Sequence, residues 1–208
     1  MTPRWLVLWL AVAAALPAQS RGPVEDLAPG RFLVAHRNLG DPNFARTVVL
    51  LATFGEEGAM GLIVNRQTKL PLSKVLGDLK AAKDRTDRVY FGGPVSITGV
   101  LALARSRPRP EDARHVFADV HLISSKPLLE KTLAAGAQAG ALRVYLGYSG
   151  WAPGQLEAEV ELGSWYIFRA DAGMVFDPEP DTVWSRLMGR TEVRIALGPR
   201  RPGREALR

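Results

Sequence analysis

The chain has 208 residues, a formal net charge of +6, 47% hydrophobic and 23% charged residues, and no cysteine. That length carries one well-buried core, and the composition is that of a folded globular domain. The missing cysteines exclude disulfides, thiolate metal sites and thiol catalysis. The charge is concentrated at one end: from Arg190 to Arg208 there are six arginines and two glutamates, a balance of +4, so residues 21–189 are close to neutral. A basic groove across the domain is not expected. Residues 191–208 read as a basic, poorly ordered tail that attracts nucleic acid only without sequence preference.

At the other end Arg4 precedes twelve uncharged, mostly apolar residues, 5–16, and small residues follow Pro17. Twelve helical residues rise about 18 Å, short of the roughly 30 Å hydrocarbon core. Residues 1–20 therefore read as a secretory signal cleaved near Ser20, with export to the periplasm; immunoblotting the size of the exported protein checks this. The alternatives are an uncleaved N-terminal anchor and a cytoplasmic protein with a misassigned start. No later apolar run reaches spanning length, so the mature chain is expected off the membrane. Residues 21–30, "RGPVEDLAPG", are a linker.

From there the elements follow in order. "RFLVAHRN" (31–38) alternates as a strand. "RTVVLLATF" (46–54) and "AMGLIVN" (59–65) are apolar runs joined by "GEEG" (55–58), which predicts a β-hairpin. Their continuous apolar character places both arms centrally in a sheet. "LPLSKVLGDLKAAKD" (70–84) has Leu72, Val75, Leu76 and Leu79 at helical spacing, with Ser73 as its cap. "RVYFGGPV" (88–95) is a strand ending in a Gly-Gly-Pro corner, and "TGVLALAR" (98–105) is the next. After a charged loop (105–114), "HVFADVHLIS" (115–124) holds one or two short strands. "KPLLEKTLAAGAQAG" (126–140) is a helix capped by Gly140. "LRVYLGYSG" (142–150) is a strand, "GQLEAEVEL" (154–162) a helix, "SWYIFRA" (164–170) a strand and "TVWSRLMGR" (182–190) a closing helix. Strands and helices mix without strict alternation, which argues for a single α+β domain over 31–190.

Four stretches, "FARTVVLLATFGEEGAMGLIVNR" (44–66), "VYFGGPV" (89–95), "LRVYLGYSGWAPGQLEAEVELGSWY" (142–166) and "FDPEPDTVWSRLM" (176–188), resemble the YqgE/AlgH family of bacterial proteins in wording, order and spacing. The resemblance covers residues 30–190. It implies an α+β fold whose bifurcated mixed sheet curls into a pseudo-barrel with flanking helices, and no established enzymatic activity. It supplies no catalytic residues to carry over. Some members are labelled transcriptional regulators, without a recognisable DNA-binding motif. The export signal and the arginine-rich end depart from the family pattern and speak against that role here.

Candidate sites are few. "GYSGWAPGQLE" (147–157) is a glycine-rich loop entering a helix, with Pro153 near the start, and such loops can hold anions. It lacks the Lys-Ser/Thr pair of a phosphate loop, and Glu157 and Glu159 in the first turn complement the helix dipole and repel anions. The simpler reading is a corner in which Trp151 plugs the core. Asn65 and Arg66 at a strand end, with Gly92 and Gly93, make a second candidate. Joined to Gly150, Trp151, Gly154 and Gln155, they form one candidate ligand cleft if the strand ends and the Trp151 loop converge. The histidines, His36, His115 and His121, have no metal-ligand spacing. Ser149 lacks the Gly-x-Ser-x-Gly elbow. Glu56 and Glu57 read as solvated turn residues. The expectation is a binding or regulatory module with a protein partner and no cofactor, metal or specific nucleic acid. The alternatives are a small-ligand or anion-binding protein or enzyme using residues 147–157, and a cytoplasmic transcription-associated regulator.

Overall fold

The computed structural model describes residues 24–197; the stretch 1–20 expected to be a signal and the last eleven residues of the expected tail lie outside them. The ten strands are β1 (Arg31–Ala35), β2 (Val48–Gly55), β3 (Gly58–Ile63), β4 (Gln67–Pro71), β5 (Arg88–Phe91), β6 (Val95–Arg105), β7 (Arg114–Phe117), β8 (Val120–Ile123), β9 (Leu142–Trp151) and β10 (Trp165–Arg169). The helices are α1 (Leu72–Val75), α2 (Lys126–Ala134), α3 (Gln155–Glu161), α4 (Ala172–Val175) and α5 (Val183–Leu197). The expected linker contains a single 3-10 turn, Val24–Asp26, and α5 continues past Arg190, where the sequence placed its end.

One mixed sheet organises them, in the order β10-β1-β2-β3-β9-β6-β8-β7. It forks at β9. One edge of β9 pairs with β6; the other pairs antiparallel with β3 through Ser149–Trp151 and parallel with β5 through Tyr145 and Leu146. β4 extends the second arm through β5. The sheet curls without closing: a Cβ on Gly30, beside β1, would stand 2.6 Å from the Cβ of Phe117 on β7, yet no ladder joins the two ends among the described residues. β2 and β3 are central and buried along most of their length, as continuous apolar runs require. The concave side holds Phe32, Leu50, Leu62, Leu103 and Tyr145 against Val183, Trp184 and Leu187 of α5.

The fork rests on two glycines. A Cβ on Gly92 would lie 2.3 Å from the Gly147 carbonyl oxygen, and one on Gly93, whose φ is +150°, would lie 2.3 Å from the Tyr148 carbonyl carbon. Ser149 Oγ donates to Gly92 O at 3.1 Å, and Gly92 O also accepts from Ile63 N at 3.0 Å. Only backbone without side chains brings the three strands this close.

Two helical expectations change. Over 70–84 the apolar stripe is buried at Leu72, Leu76 and Leu79 as expected, but the chain makes β4, one turn of α1 and a 3-10 turn, Lys80–Ala82. Pairing of β4 with β5 claims the first residues, and Ser73 is no cap, because Pro71 precedes α1 without a side-chain cap bond. Helix α2 ends at Ala134, not at Gly140. Gly136, at φ +81°, stops it: Gly136 N donates to Leu133 O and Ala137 N to Thr132 O, the paired bonds of a Schellman end. Its start is capped by Ser125, whose Oγ accepts from Leu128 N.

Candidate functional site

The corner 147–157 is a clamp built around a carboxylate. β9 delivers Trp151 into the core, 5% exposed, and α3 returns Glu159 beneath it. Glu159 Oε2 accepts from Trp151 Nε1 at 2.9 Å and from Trp165 Nε1 at 2.8 Å, while Oε1 accepts from Gln155 Nε2 at 2.9 Å. Gln155 Oε1 in turn accepts from Ala152 N at 3.1 Å, closing the turn. The two indoles meet edge to face at 6.1 Å, and Phe44 packs on both. Gly154, at φ +75°, is the left-handed residue that admits the chain to α3. So the corner plugs the core, and Glu159 is not the dipole-facing surface residue expected: its charge is held by indole N–H groups.

Asn65 and Arg66 are also committed to the fold. Asn65, 7% exposed, accepts from Val48 N at 2.7 Å and donates to Arg46 O at 3.0 Å. Arg66 donates to Asn43 O at 2.8 Å and Ala45 O at 3.2 Å, with its guanidinium over Phe91. Both tie residues 43–48 to the end of β3. Because Ala59 pairs with Trp151, Asn65 lies six residues along from that end, about 20 Å away. The Asn65–Arg66 strand end does meet the Gly92–Gly93 corner, through Phe91 N donating to Arg66 O at 2.9 Å and Ile63 N to Gly92 O at 3.0 Å, but the eight expected residues do not line one cavity with Trp151. Asn65 and Arg66 hold a loop, Gly92 and Gly93 abut β9, Gly154 and Gln155 form an exposed turn, and Gly150 and Trp151 alone line a cavity.

That cavity, about 860 Å³, is an open groove at the β2–β3 hairpin end of the curled sheet. Phe54 and Met60 come from the hairpin, Val95 and Leu101 from β6, and Tyr148 and Trp151 from β9. Glu56 and Glu57 stand at one rim and Arg114 at another. Ser96 and Gly99 make one rim because β6 breaks register there: Val95 pairs with Tyr148, but the next pair is Val100 with Leu146. The displaced residues are exposed, with Ser96 at φ +47° and Ile97 61% exposed. The edge of β6 facing away from β9 pairs with β8 only from Ala102 onward. Sequence reading missed this groove because the excess of residues in β6 shows only once β9 is paired with it.

A second cavity, about 350 Å³, lies between β5, β9 and the Phe176–Pro178 segment, with Arg143 in its wall. Arg143 is 5% exposed. A charge inside the apolar strand run "LRVYLG" was the available signal, since a buried cation is costly without a partner.

His115 and His121 face each other across the β7–β8 hairpin, their rings 5.5 Å apart. Their spacing of six is that of opposite positions around a tight turn. No third ligand joins them: no group of three metal-binding side chains occurs among the described residues. His121 is 2% exposed and its Nδ1 has no partner among the described residues. Burial, followed by the neighbouring His115 and with Arg109 adding, pushes its pKa down; Asp119 opposes. A folded pKa below the unfolded one means the unfolded chain takes the proton first. Stability is then full above the ordinary histidine value of about 6.5 and falls as pH drops from there to the folded value. Urea midpoints are expected to fall between pH 7.5 and 5.5, and His121→Leu to flatten that slope. The lowered pKa values of Asp78, Asp119 and Asp177 keep those carboxylates out of this window.

The fold and its groove define a class: a single-domain α+β protein with a forked, curled, open sheet, an apolar groove and no metal cluster among the described residues. A family model described as AlgH-like, DUF179, matches residues 32–196, and the chain belongs to that family. A UPF0301 protein of Streptomyces coelicolor is 36% identical over 174 residues, spanning 81% of this chain and 89% of the relative. A UPF0301 protein of Chlorobaculum tepidum is 36% identical over 183 residues, spanning 86% and 96%. The solution structure of AlgH from Pseudomonas aeruginosa superposes with a TM-score of 0.66 at 32% identity, covering 84% of this chain and 94% of that one. A crystal structure from Corynebacterium diphtheriae, at TM-score 0.68 and 24% identity, covers 83% and 90% and shares the fold. The names of these relatives state no enzymatic activity. The resemblance read from four sequence blocks is thereby shown.

Proposed function

We propose that this chain is an exported, non-catalytic binding module whose hairpin-end groove takes an extended segment of a protein partner. The groove carries the reading. It offers apolar walls from Phe54, Met60, Leu101 and Tyr148, a displaced β6 rim at Ser96 and Gly99, and an edge of β6 before Ala102 that pairs with no strand among the described residues. Glu56 and Glu57 at the rim favour a Lys or Arg beside the segment's apolar anchor. Export rests on residues 1–20, with Arg4, the short apolar run and the small residues before Ser20.

The test is selection from a displayed peptide library on residues 21–208, counter-screened on a Glu56→Lys/Glu57→Lys variant, whose exposed turn positions let it fold normally. Peptides with an apolar anchor next to a basic residue are expected to enrich, and to lose about tenfold or more in affinity on the variant. No enrichment, or peptides that bind the variant equally well, overturns the groove reading.

A further inference from the structure

We propose that the cavity under Arg143 is a binding site for a small organic carboxylate. It is separate from the hairpin-end groove and independent of the reading given to it. The case starts from a charge without a counterion. Arg143 projects from β9 into the interior, where Nη1 donates to Val64 O at 3.5 Å and Nη2 donates to Asp177 O. Both acceptors are neutral backbone carbonyls. No carboxylate lies within ion-pair distance of it among the described residues; the six pairs found there involve other cations. Its face is covered by Tyr90, 4.5 Å from the ring centroid, and by Phe176 at 5.9 Å. Ring faces and carbonyls stabilise a guanidinium in part, but a cation this buried remains short of negative charge.

Two of the nearby acids, Asp87 and Asp177, are already engaged. Asp87 lines the cavity, but its two oxygens accept from Arg85 Nε at 2.7 Å and Nη2 at 2.9 Å. The Asp177 carboxylate is held by Arg186 and by Glu179 N. What the wall presents to a ligand is therefore cationic and donating: Arg143, Arg88, and the Tyr90 hydroxyl. Gln67 Nε2 donates to Tyr90 Oη at 3.3 Å, which leaves the Tyr90 proton without an acceptor among the described residues. Burial pushes the Tyr90 pKa up, so that proton stays on at neutral pH. The rest of the lining includes the apolar side chains of Leu72, Val144 and Phe176. Two cations and a hydroxyl donor set among hydrocarbon suit a carboxylate carrying a short apolar body. A volume of about 350 Å³ sits at the small end of ligand pockets.

The experiment measures melting of the mature chain with acetate, butyrate, benzoate or succinate, and with phosphate and chloride at matched ionic strength. At about 100 times Kd, a carboxylate with an apolar body is expected to raise the melting temperature by roughly 5–10 °C. Phosphate and chloride are expected to do less. Tyr90→Phe keeps the ring over Arg143 and removes only the proton, and Arg88→Gln changes an exposed cation. Both variants should fold, and each is expected to weaken the carboxylate about tenfold or more by calorimetry, as loss of a hydrogen bond to a charged group does. A melting temperature that no carboxylate raises overturns the site. So does a rise that phosphate and chloride match, or one that both variants leave unchanged. Loss of the peptide binding proposed for the groove bears on neither result.

Discussion

Gly93→Ala is expected to destabilise the domain by more than about 4 kcal/mol, or to prevent it from folding. Most substitutions cost far less, and effects of this size need a named cause. Here two causes act together. The new Cβ would meet backbone of β9 at 2.3 Å and 2.4 Å, at Tyr148 C and Ser149 N, and backbone cannot rotate away as a side chain can. The φ of +150° is also one that L side chains rarely adopt. Relief requires moving β9 away from the Gly-Gly corner, which disturbs the ladders to β3 and β5 at once. Gly92→Ala, 2.3 Å from Gly147 O, should behave alike. Gly189→Ala in α5 is the control: nothing lies within 4 Å of its Cβ, so it should stabilise by about 0.5–1 kcal/mol through helix propensity. Urea unfolding of the three variants checks this. A Gly93→Ala midpoint close to the parent's would mean that β9 does not approach the corner as described.

Much of the fold was legible because local pattern and tertiary burial agree. The 46–65 hairpin carries a turn signal between two apolar runs, and both runs occupy central strands. Over 70–84 the burial was legible and the element was not. Leu72, Leu76 and Leu79 face the core as their spacing says, but a short extended segment, a helical turn and a 3-10 turn bury the same residues. Periodicity reports which side chains are inside; it does not report whether β5 will recruit the preceding residues into a ladder. The fork at β9 was illegible for the same reason. Residues 149–151 and 145–146 of one strand choose different partners on one edge, a decision made by chain segments more than fifty residues away. The expected cleft failed on this point. In sequence Asn65, Arg66, Gly92 and Gly93 read as ligand-cleft residues; in the structure they hold loop 43–48 and the fork. The hairpin-end groove arises from a register break, and the buried cation Arg143 from a position inside a strand, where sequence reading looks for hydrophobes.

Glu159→Ala is expected to cost about 2–4 kcal/mol, a large effect for a residue that is only half-buried. Its carboxylate is the sole acceptor given to two indole N–H groups, Trp151 at 2.9 Å and Trp165 at 2.8 Å. Removing it leaves two buried donors unsatisfied, and each such donor costs about 1–3 kcal/mol, with relaxation toward solvent lowering the sum. Glu159→Gln separates charge from hydrogen bonding. Its amide oxygen can still accept from an indole, so the cost should fall to about 1–2 kcal/mol, the difference between a charge-assisted bond and a neutral one. Because Trp151 also forms one wall of the hairpin-end groove, the two variants bear on function as well as stability. An indole freed from residue 159 can rotate toward the groove, so Glu159→Ala should weaken groove ligands more than Glu159→Gln does, and both should leave carboxylate binding near Arg143 untouched. Two indole N–H resonances of the parent should lie downfield and move upfield together in Glu159→Gln. If only one moves, the second tryptophan is held by packing against Phe44 rather than by the shared carboxylate.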